Sequence, residues 1–270
     1  TNIGTCHLEN LGDRDGVLKA KTEIFQSMKP NGHIVLNGDD DKLITVREYN
    51  GVKPVFFGLN SERDVYADQI ESKGLKGVAC RIHLGEDAFD VLVPTPGIHM
   101  VYNALAAAAV GRIYGLTIEE IRRGIESLET IRGRFKMIET DKFLVVDDCY
   151  NANPMSMKAS LDVLHDGEGR RVAILGDMGE LGEDEAALHE GVGIHAATCG
   201  IDACVCVGDL AVHIAEAARK ANPDFPVYYE KTRESLLEHL NDYVQKGDTI
   251  LVKASHFMKF EEVVKALEEM

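Results

Sequence analysis

From about residue 140 to the end, short apolar runs and helix-like stretches alternate strictly, and this alternation constrains the fold more than any other feature. Apolar runs fall at 143–146, 172–175, 203–207, 227–229 and 250–252, and helices are expected from Pro154, Asp184, Leu210, Thr232 and Met258. The pattern predicts a doubly wound, Rossmann-like α/β domain. Ligands of such sheets sit beyond the carboxyl ends of the strands. Polar residues obey that rule: Asp147 and Asp148, Gly176 and Asp177, Gly208 and Asp209, and Lys253 and Ser255 each follow a run. Any one pair is equally well turn or N-cap chemistry, whereas four together point to a cleft.

Upstream the pattern is mixed. A helix is expected near 13–28, short β-rich runs at 33–36, 55–57, 78–84 and 89–93, and two helices near 100–114 and 118–128. Thr117 followed by Glu119 and Glu120 reads as a capped start for the last of these. At about 150 residues per domain, 270 residues make roughly two domains, with a boundary expected near 138.

Lys plus Arg number 29 against 45 Asp plus Glu, a net charge of −16, which excludes general binding to nucleic acid or anionic lipid. An anionic ligand would need a few local donors working against that field. The longest apolar run, Ala104 to Val110, is far too short to cross a bilayer. The six cysteines form no C-x-x-C pair, which predicts reduced thiols and a cytoplasmic protein. Starting at Thr1-Asn2-Ile3-Gly4, without an initiator Met, the chain is expected to begin inside a longer reading frame.

Three segments carry candidate chemistry. The opening places His7 and Glu9 ahead of a helix bearing Lys19 and Lys21, where a lone loop histidine is more often structural. His99 and Asn103 lie four apart on one helical face and either read a flat polar ligand or cap and pack. Arg132-Gly133-Arg134-Phe135 either clamps a phosphate or forms a solvated linker.

Taken in order, these segments resemble a known family. The tracts are Thr1–Leu11 with Ala20-Lys21, Leu36-Asn37-Gly38-Asp39-Asp40, Gly97-x-His99-x-x-x-Asn103-Ala104-Leu105-Ala106-Ala107 and Arg132-Gly133-Arg134-Phe135. They continue with Asp147-Asp148-Cys149-Tyr150-Asn151-Ala152-Asn153-Pro154, Gly176-Asp177-Met178-Gly179-Glu180-Leu181-Gly182 and Leu251-Val252-Lys253-Ala254-Ser255. Together they resemble the Mur ligases nearly end to end. The tracts at 150–154 and 176–182 resemble the branch of that family that joins D-alanyl-D-alanine to UDP-N-acetylmuramoyl-tripeptide.

The resemblance implies an ATP-dependent amide ligase of peptidoglycan precursor synthesis, working through an acyl phosphate with ATP and Mg2+. Residues 1–138 would be the later part of an incomplete central ATP-binding domain, and 139–270 the C-terminal domain. His7 would be a magnesium ligand, and Lys21, carbamylated, would hold a second magnesium. His99 and Asn103 would face the adenine, Arg134 would approach the γ-phosphate, and Asp148 would touch the ribose or orient Arg134. Tyr150, Asn151, Asn153, Asp177 and Lys253 would bind the amino-acid substrate. A monomer is expected, with no nucleic-acid partner and no membrane insertion.

Met100 stands where the family commonly has Asn, and Ala254 and His256 where it has Gly and Arg. Neither G-x-x-x-x-G-K-[ST] nor the shorter G-x-x-G-K-[ST] occurs in these 270 residues. The expectation is therefore a C-terminal portion of a longer ligase, not competent alone. The alternatives are another amino-acid ligase of the same family, distinguished by charge in the acceptor pocket, and a noncatalytic nucleotide- or dipeptide-binding α/β module. A nicotinamide dehydrogenase is disfavoured, because no G-x-G-x-x-G follows a strand in the alternating half.

Overall fold

A computed structural model describes residues 1–4 and 11–270. It divides into two compact units, Thr1–Glu129 and Thr130–Met270. The division falls upstream of 138 because Lys136–Glu139 is itself a strand, paired antiparallel with Leu144–Asp147 in the second sheet.

The first unit opens with α1 (Arg14–Thr22), whose N-cap Asp13 accepts the Gly16 N–H at 2.8 Å. The helix expected to reach residue 28 ends sooner and passes into a 3-10 turn at Glu23–Ser27. A five-stranded sheet follows in the order β1 (Val35–Asn37), β2 (Val55–Gly58), β3 (Val65–Ser72), β4 (Val78–Leu84), β5 (Asp87–Val93). The first three strands pair in parallel and the last three antiparallel. Sequence periodicity misses β3, because its second half is mostly exposed and its register shifts between Asp68 and Glu71, where Gln69 has φ 48°. Across the sheet lies α2 (Ile98–Ile113), which buries Val101, Ala104, Leu105, Ala108 and Ala109 at helical spacing. The last helix, α3 (Ile118–Glu126), begins with a full capping box between Thr117 and Glu120.

The second unit holds β6 (Lys136–Glu139), β7 (Leu144–Asp147), α4 (Pro154–His165), β8 (Arg171–Gly176), α5 (Glu185–Thr198) and β9 (Ala203–Val207). It continues with α6 (Ala211–Ala221), β10 (Val227–Glu230), α7 (Arg233–Tyr243), β11 (Thr249–Lys253) and α8 (Glu261–Glu269). The sheet order is β10-β9-β8-β11-β7-β6, parallel throughout except for β6. The helix expected from Met258 starts later, because a 3-10 turn at His256–Met258 ends in Lys259 with left-handed backbone, φ 53°.

The strands β8, β9 and β11 are almost wholly buried, as expected when helices cover both faces of a parallel sheet. Val172, Ile174, Val205, Ile250 and Val252 share one core with Leu236 and Leu240 of α7 and Val263 and Leu267 of α8. The alternate residues, Lys253 among them, face the other way, where α4 packs on β8 and β11.

Two buried polar groups stitch this sheet to its loops. The Asp177 carboxylate, 7% exposed, accepts the Leu210 and Ala211 N–H groups at 3.0 and 2.7 Å and so caps the start of α6. Burial pushes this carboxyl above its usual range, with the two N–H groups acting in the opposite direction. The approach requires a glycine at Gly208, where φ is +124° and a Cβ would lie 2.3 Å from Asp177 Oδ1. Fully buried His189 accepts the Met178 N–H on Nε2 at 2.9 Å, so its proton is on Nδ1, 2.7 Å from the Glu185 carbonyl.

Asp177→Ala is expected to lower the stability of the second unit by about 1–2 kcal/mol and Asp177→Asn by less, read from urea midpoints. Burial lowers the His189 pKa, so the unfolded state takes up a proton that the folded state refuses. Stability should therefore fall as pH drops below the ordinary histidine value of about 6.5, by at most about 1.4 kcal/mol per pH unit from this group. His189→Gln should remove that part of the pH dependence in denaturation curves run between about pH 5 and 7.

Candidate active site

The carboxyl edge of the second sheet is assembled around two adjacent aspartates. Asp147, at the end of β7, accepts the Gly133 N–H on Oδ2 at 2.8 Å, while its Oδ1 lies 3.0 Å from the Cys149 thiol. The Tyr150 N–H then donates to the Gly133 carbonyl at 3.0 Å. Gly133 has φ +76° and a Cβ there would meet Tyr150 at 3.1 Å, so the Arg-Gly-Arg turn closes on the β7 loop only with glycine at its centre. The turn is thus a fixed structure, not a solvated linker.

Its two arginines differ. Arg132 makes a bidentate pair with Glu268 at 2.8 and 3.1 Å. Arg134 is exposed, its guanidinium 3.9 Å from the centre of the Tyr150 ring. Tyr150 is 48% exposed and meets the edge of the His256 ring at 5.7 Å. Asp148 turns toward the α4 face: its Oδ2 accepts Ser160 Oγ at 2.7 Å and Lys253 Nζ at 2.5 Å. Among the described residues no ion pair joins Asp148 to Arg134.

The expected substrate-binding residues separate into two kinds. Tyr150 and the side chain of Asn151 lie at the surface. Asn153 is the N-cap of α4, its side chain accepting the Ser156 N–H at 2.9 Å. Asp177 is spent on α6, and Lys253, 2% exposed, faces the Asp148 turn. Ser255 ties the loops together, accepting the Gly179 N–H at 2.9 Å on Oγ and donating its own N–H to the Asp177 carbonyl at 3.0 Å. Ala254 fits because Gly176 lies opposite: a Cβ on Gly176 would come within 2.6 Å of its methyl.

In the first unit, Lys21 is exposed in the last turn of α1 and borders a cavity of about 430 Å3 with Asn2, Thr22 and His33. His7 lies outside the described residues. Among those described, no group of three or more His, Cys, Asp and Glu side chains is placed to hold a metal ion. Asn103 is exposed on α2, and its amide donates to Met100 Sδ at 3.3 Å, so the departure at Met100 supplies an acceptor. Both residues line a largely apolar groove of about 440 Å3 between α2 and α3. His99 is half-buried in the first turn of α2.

The aspartates after β1 are structural. Asp39 accepts the Leu59 N–H at 2.5 Å, Arg63 Nε at 3.0 Å and the Tyr102 hydroxyl at 3.2 Å. Burial alone would raise this carboxyl, but those donors hold it below its ordinary value, and burial beside Asp39 pushes Tyr102 up to about 12. Asp40 accepts the N–H groups of Ile3, Lys42 and Leu43.

Sequence reasoning did not single out Ser160 or the clasp at Asp147. The available signal was a hydroxyl on the apolar stripe of α4, three residues from Met157 and one from Leu161. Chemically, the second unit offers an exposed guanidinium on an aromatic platform, a donor set fit for an anion.

Comparison with known proteins agrees with this architecture. Residues 1–111 match the Mur ligase middle domain, and residues 133–256 match the Mur ligase, glutamate ligase domain. UDP-N-acetylmuramoyl-tripeptide–D-alanyl-D-alanine ligase of Bacillus subtilis is 35% identical over 272 aligned residues, covering 100% of this chain and 58% of the relative. The enzyme of the same name from Escherichia coli is also 35% identical, over 99% of this chain and 59% of the relative. Among solved structures, MurF from Acinetobacter baumannii superposes with a TM-score of 0.89 at 32% identity, covering 100% of this chain and 58% of that one. MurF of Thermotoga maritima in complex with ADP gives 0.82 at 26% identity, covering 99% of this chain and 60% of that one. The chain thus spans a little under two thirds of the length of the proteins it matches, and it belongs to the Mur ligase family, of which it carries middle-domain and glutamate-ligase-domain sequence.

Proposed function

We propose that the chain forms part of an ATP-dependent ligase that adds D-alanyl-D-alanine to UDP-N-acetylmuramoyl-tripeptide in peptidoglycan precursor synthesis. The γ-phosphoryl group of ATP passes to the terminal carboxylate of the tripeptide, leaving ADP and an acyl phosphate. The dipeptide amine then attacks the acyl carbon, and inorganic phosphate departs as the amide forms. Two relatives that carry this name at 35% identity support the substrate class.

The observation that carries the reading is the Arg134 guanidinium, set over the Tyr150 ring with no ion-pair partner among the described residues, on a turn closed by Gly133 and Asp147. Phosphoryl transfer is catalysed chiefly by positioning and by neutralising charge on the transferring group. An unpaired guanidinium on an aromatic face suits that role, and Asp148 offers an acceptor for a ribose hydroxyl. On the first unit, the groove beside Asn103 supplies apolar walls and an amide for an adenine, and His99, in the first turn of the same helix, is assigned to the same ligand. Tyr150 and Asn151 are assigned to the dipeptide, with Asn153 holding the end of α4 beside them.

Magnesium would supply the countercharge for the phosphates, with His7 a ligand of one ion and a carbamylated Lys21 of a second. Among the described residues no group of three or more His, Cys, Asp and Glu side chains gathers around Lys21. The protein is read as a cytoplasmic monomer; no helix among the described residues is long and apolar enough to cross a membrane.

The test is phosphate release from ATP that depends on D-alanyl-D-alanine, with magnesium and UDP-N-acetylmuramoyl-tripeptide. It is run on these 270 residues and on a form extended upstream of Thr1 to the length of the relatives. Turnover by the extended form alone is expected, and absence of turnover in both would remove the substrate assignment. In the extended form, Arg134→Ala should lower kcat by about 10²–10³-fold, the loss seen when one donor to a transition-state anion is deleted. Arg134→Lys should recover little, because an ammonium cannot reproduce the planar stack on Tyr150.

A further inference from the structure

Lys253 is the charged residue of a fully buried strand, Thr249–Lys253. Its side chain is 2% exposed, so every proton on the ammonium has to find an acceptor inside the protein. Three acceptors lie within reach, all in one turn: Asp148 Oδ2 at 2.5 Å, the Asn151 carbonyl at 3.2 Å and the Asp148 carbonyl at 3.5 Å. An ammonium has three protons, and none is left for a ligand. Ser160, buried on α4, brings its hydroxyl within 2.7 Å of the same Asp148 oxygen and 2.8 Å of the Ser156 carbonyl, so its single proton is shared between the two acceptors. Both protein donors converge on Oδ2, and Oδ1 has no partner among the described residues. The Asp148 N–H is itself fixed to the Val252 carbonyl at 3.0 Å.

We infer that Lys253 and Ser160 are positioning residues that act on the nucleotide through Asp148. Together they clamp one carboxylate oxygen so that the other stays aimed at a donor of the bound nucleotide, and Lys253 also fixes the 148–151 turn that carries Tyr150 beneath Arg134. The inference rests on the ligase reading for the identity of the nucleotide. Its structural half, that Lys253 orders the turn, stands independently.

The structural half is tested by amide hydrogen exchange on the 270-residue chain. Lys253→Met should speed exchange across 149–153 while leaving β8 and β9 protected. Protection equal to wild type would overturn the inference. Should Lys253→Met fail to fold because it strands a buried carboxylate, Lys253→Met with Asp148→Asn leaves no unpaired charge and is measured in its place with the same expectation.

The functional half is read in the extended form. Lys253→Met should raise the KM for ATP by about 10- to 100-fold, and Ser160→Ala by about 2- to 10-fold, with the KM for D-alanyl-D-alanine unchanged. Adding Lys253→Met to Asp148→Asn should cost nothing further in ATP KM, since both changes act through one carboxylate. A shift confined to the dipeptide KM, or full additivity of the two changes, would show that Lys253 meets substrate directly and overturn the inference. Absence of dipeptide-dependent turnover in unsubstituted extended protein is a failure of the ligase reading alone, and the exchange result still decides whether Lys253 orders the turn.

Discussion

A charge that water cannot reach must be paired where it lies, and at Lys253 that requirement organises the carboxyl edge of the second sheet. The ammonium draws in Asp148 and the carbonyl of Asn151, which fixes the turn after β7. Asp147, its neighbour in the chain, turns to the opposite side and closes the Arg132–Phe135 turn through Gly133. Adjacent carboxylates at the end of a strand point to opposite faces, so one doublet joins three separate segments. Arg134 stands over Tyr150 because both ends of that arrangement are held.

The first unit repeats the device with different partners. Asp39 and Asp40 follow β1, one reaching Arg63 and Tyr102 and the other the N–H groups of Ile3 and of the 3-10 turn after Lys42. Glycines stand where these carboxylates come close to backbone: a Cβ on Gly58 would lie 2.5 Å from Asp39, and one on Gly208 would collide with Asp177. Such glycines read in sequence as turn punctuation, whereas their physical role is to let a charged side chain approach the chain.

The departures from the family pattern are absorbed locally. Met100 offers its sulfur to Asn103, Ala254 packs against a glycine, and His256 sets a ring edge against Tyr150. The first two replace a polar or small residue without leaving a buried group unsatisfied, while His256 sets an imidazole against the Tyr150 ring that carries Arg134.

The sequence by itself determined the parts that rest on local periodicity and capping. The buried strands β8, β9 and β11, the capping box at Thr117 and the start of α4 at Pro154 were legible because neighbouring residues alone encode them. The strands β3 and β6 were not, since partly polar strands draw their stability from pairing with segments the local pattern does not register. The candidate site divides in the same way. Motif order singled out Arg134, Asp148, Tyr150 and Lys253, but only the tertiary structure decided which of them face outward. Asp177 caps a helix that starts 34 residues later, and Lys253 pairs with a carboxylate 105 residues earlier. Satisfying a buried charge is a property of the packed interior, and no local reading of the chain contains it.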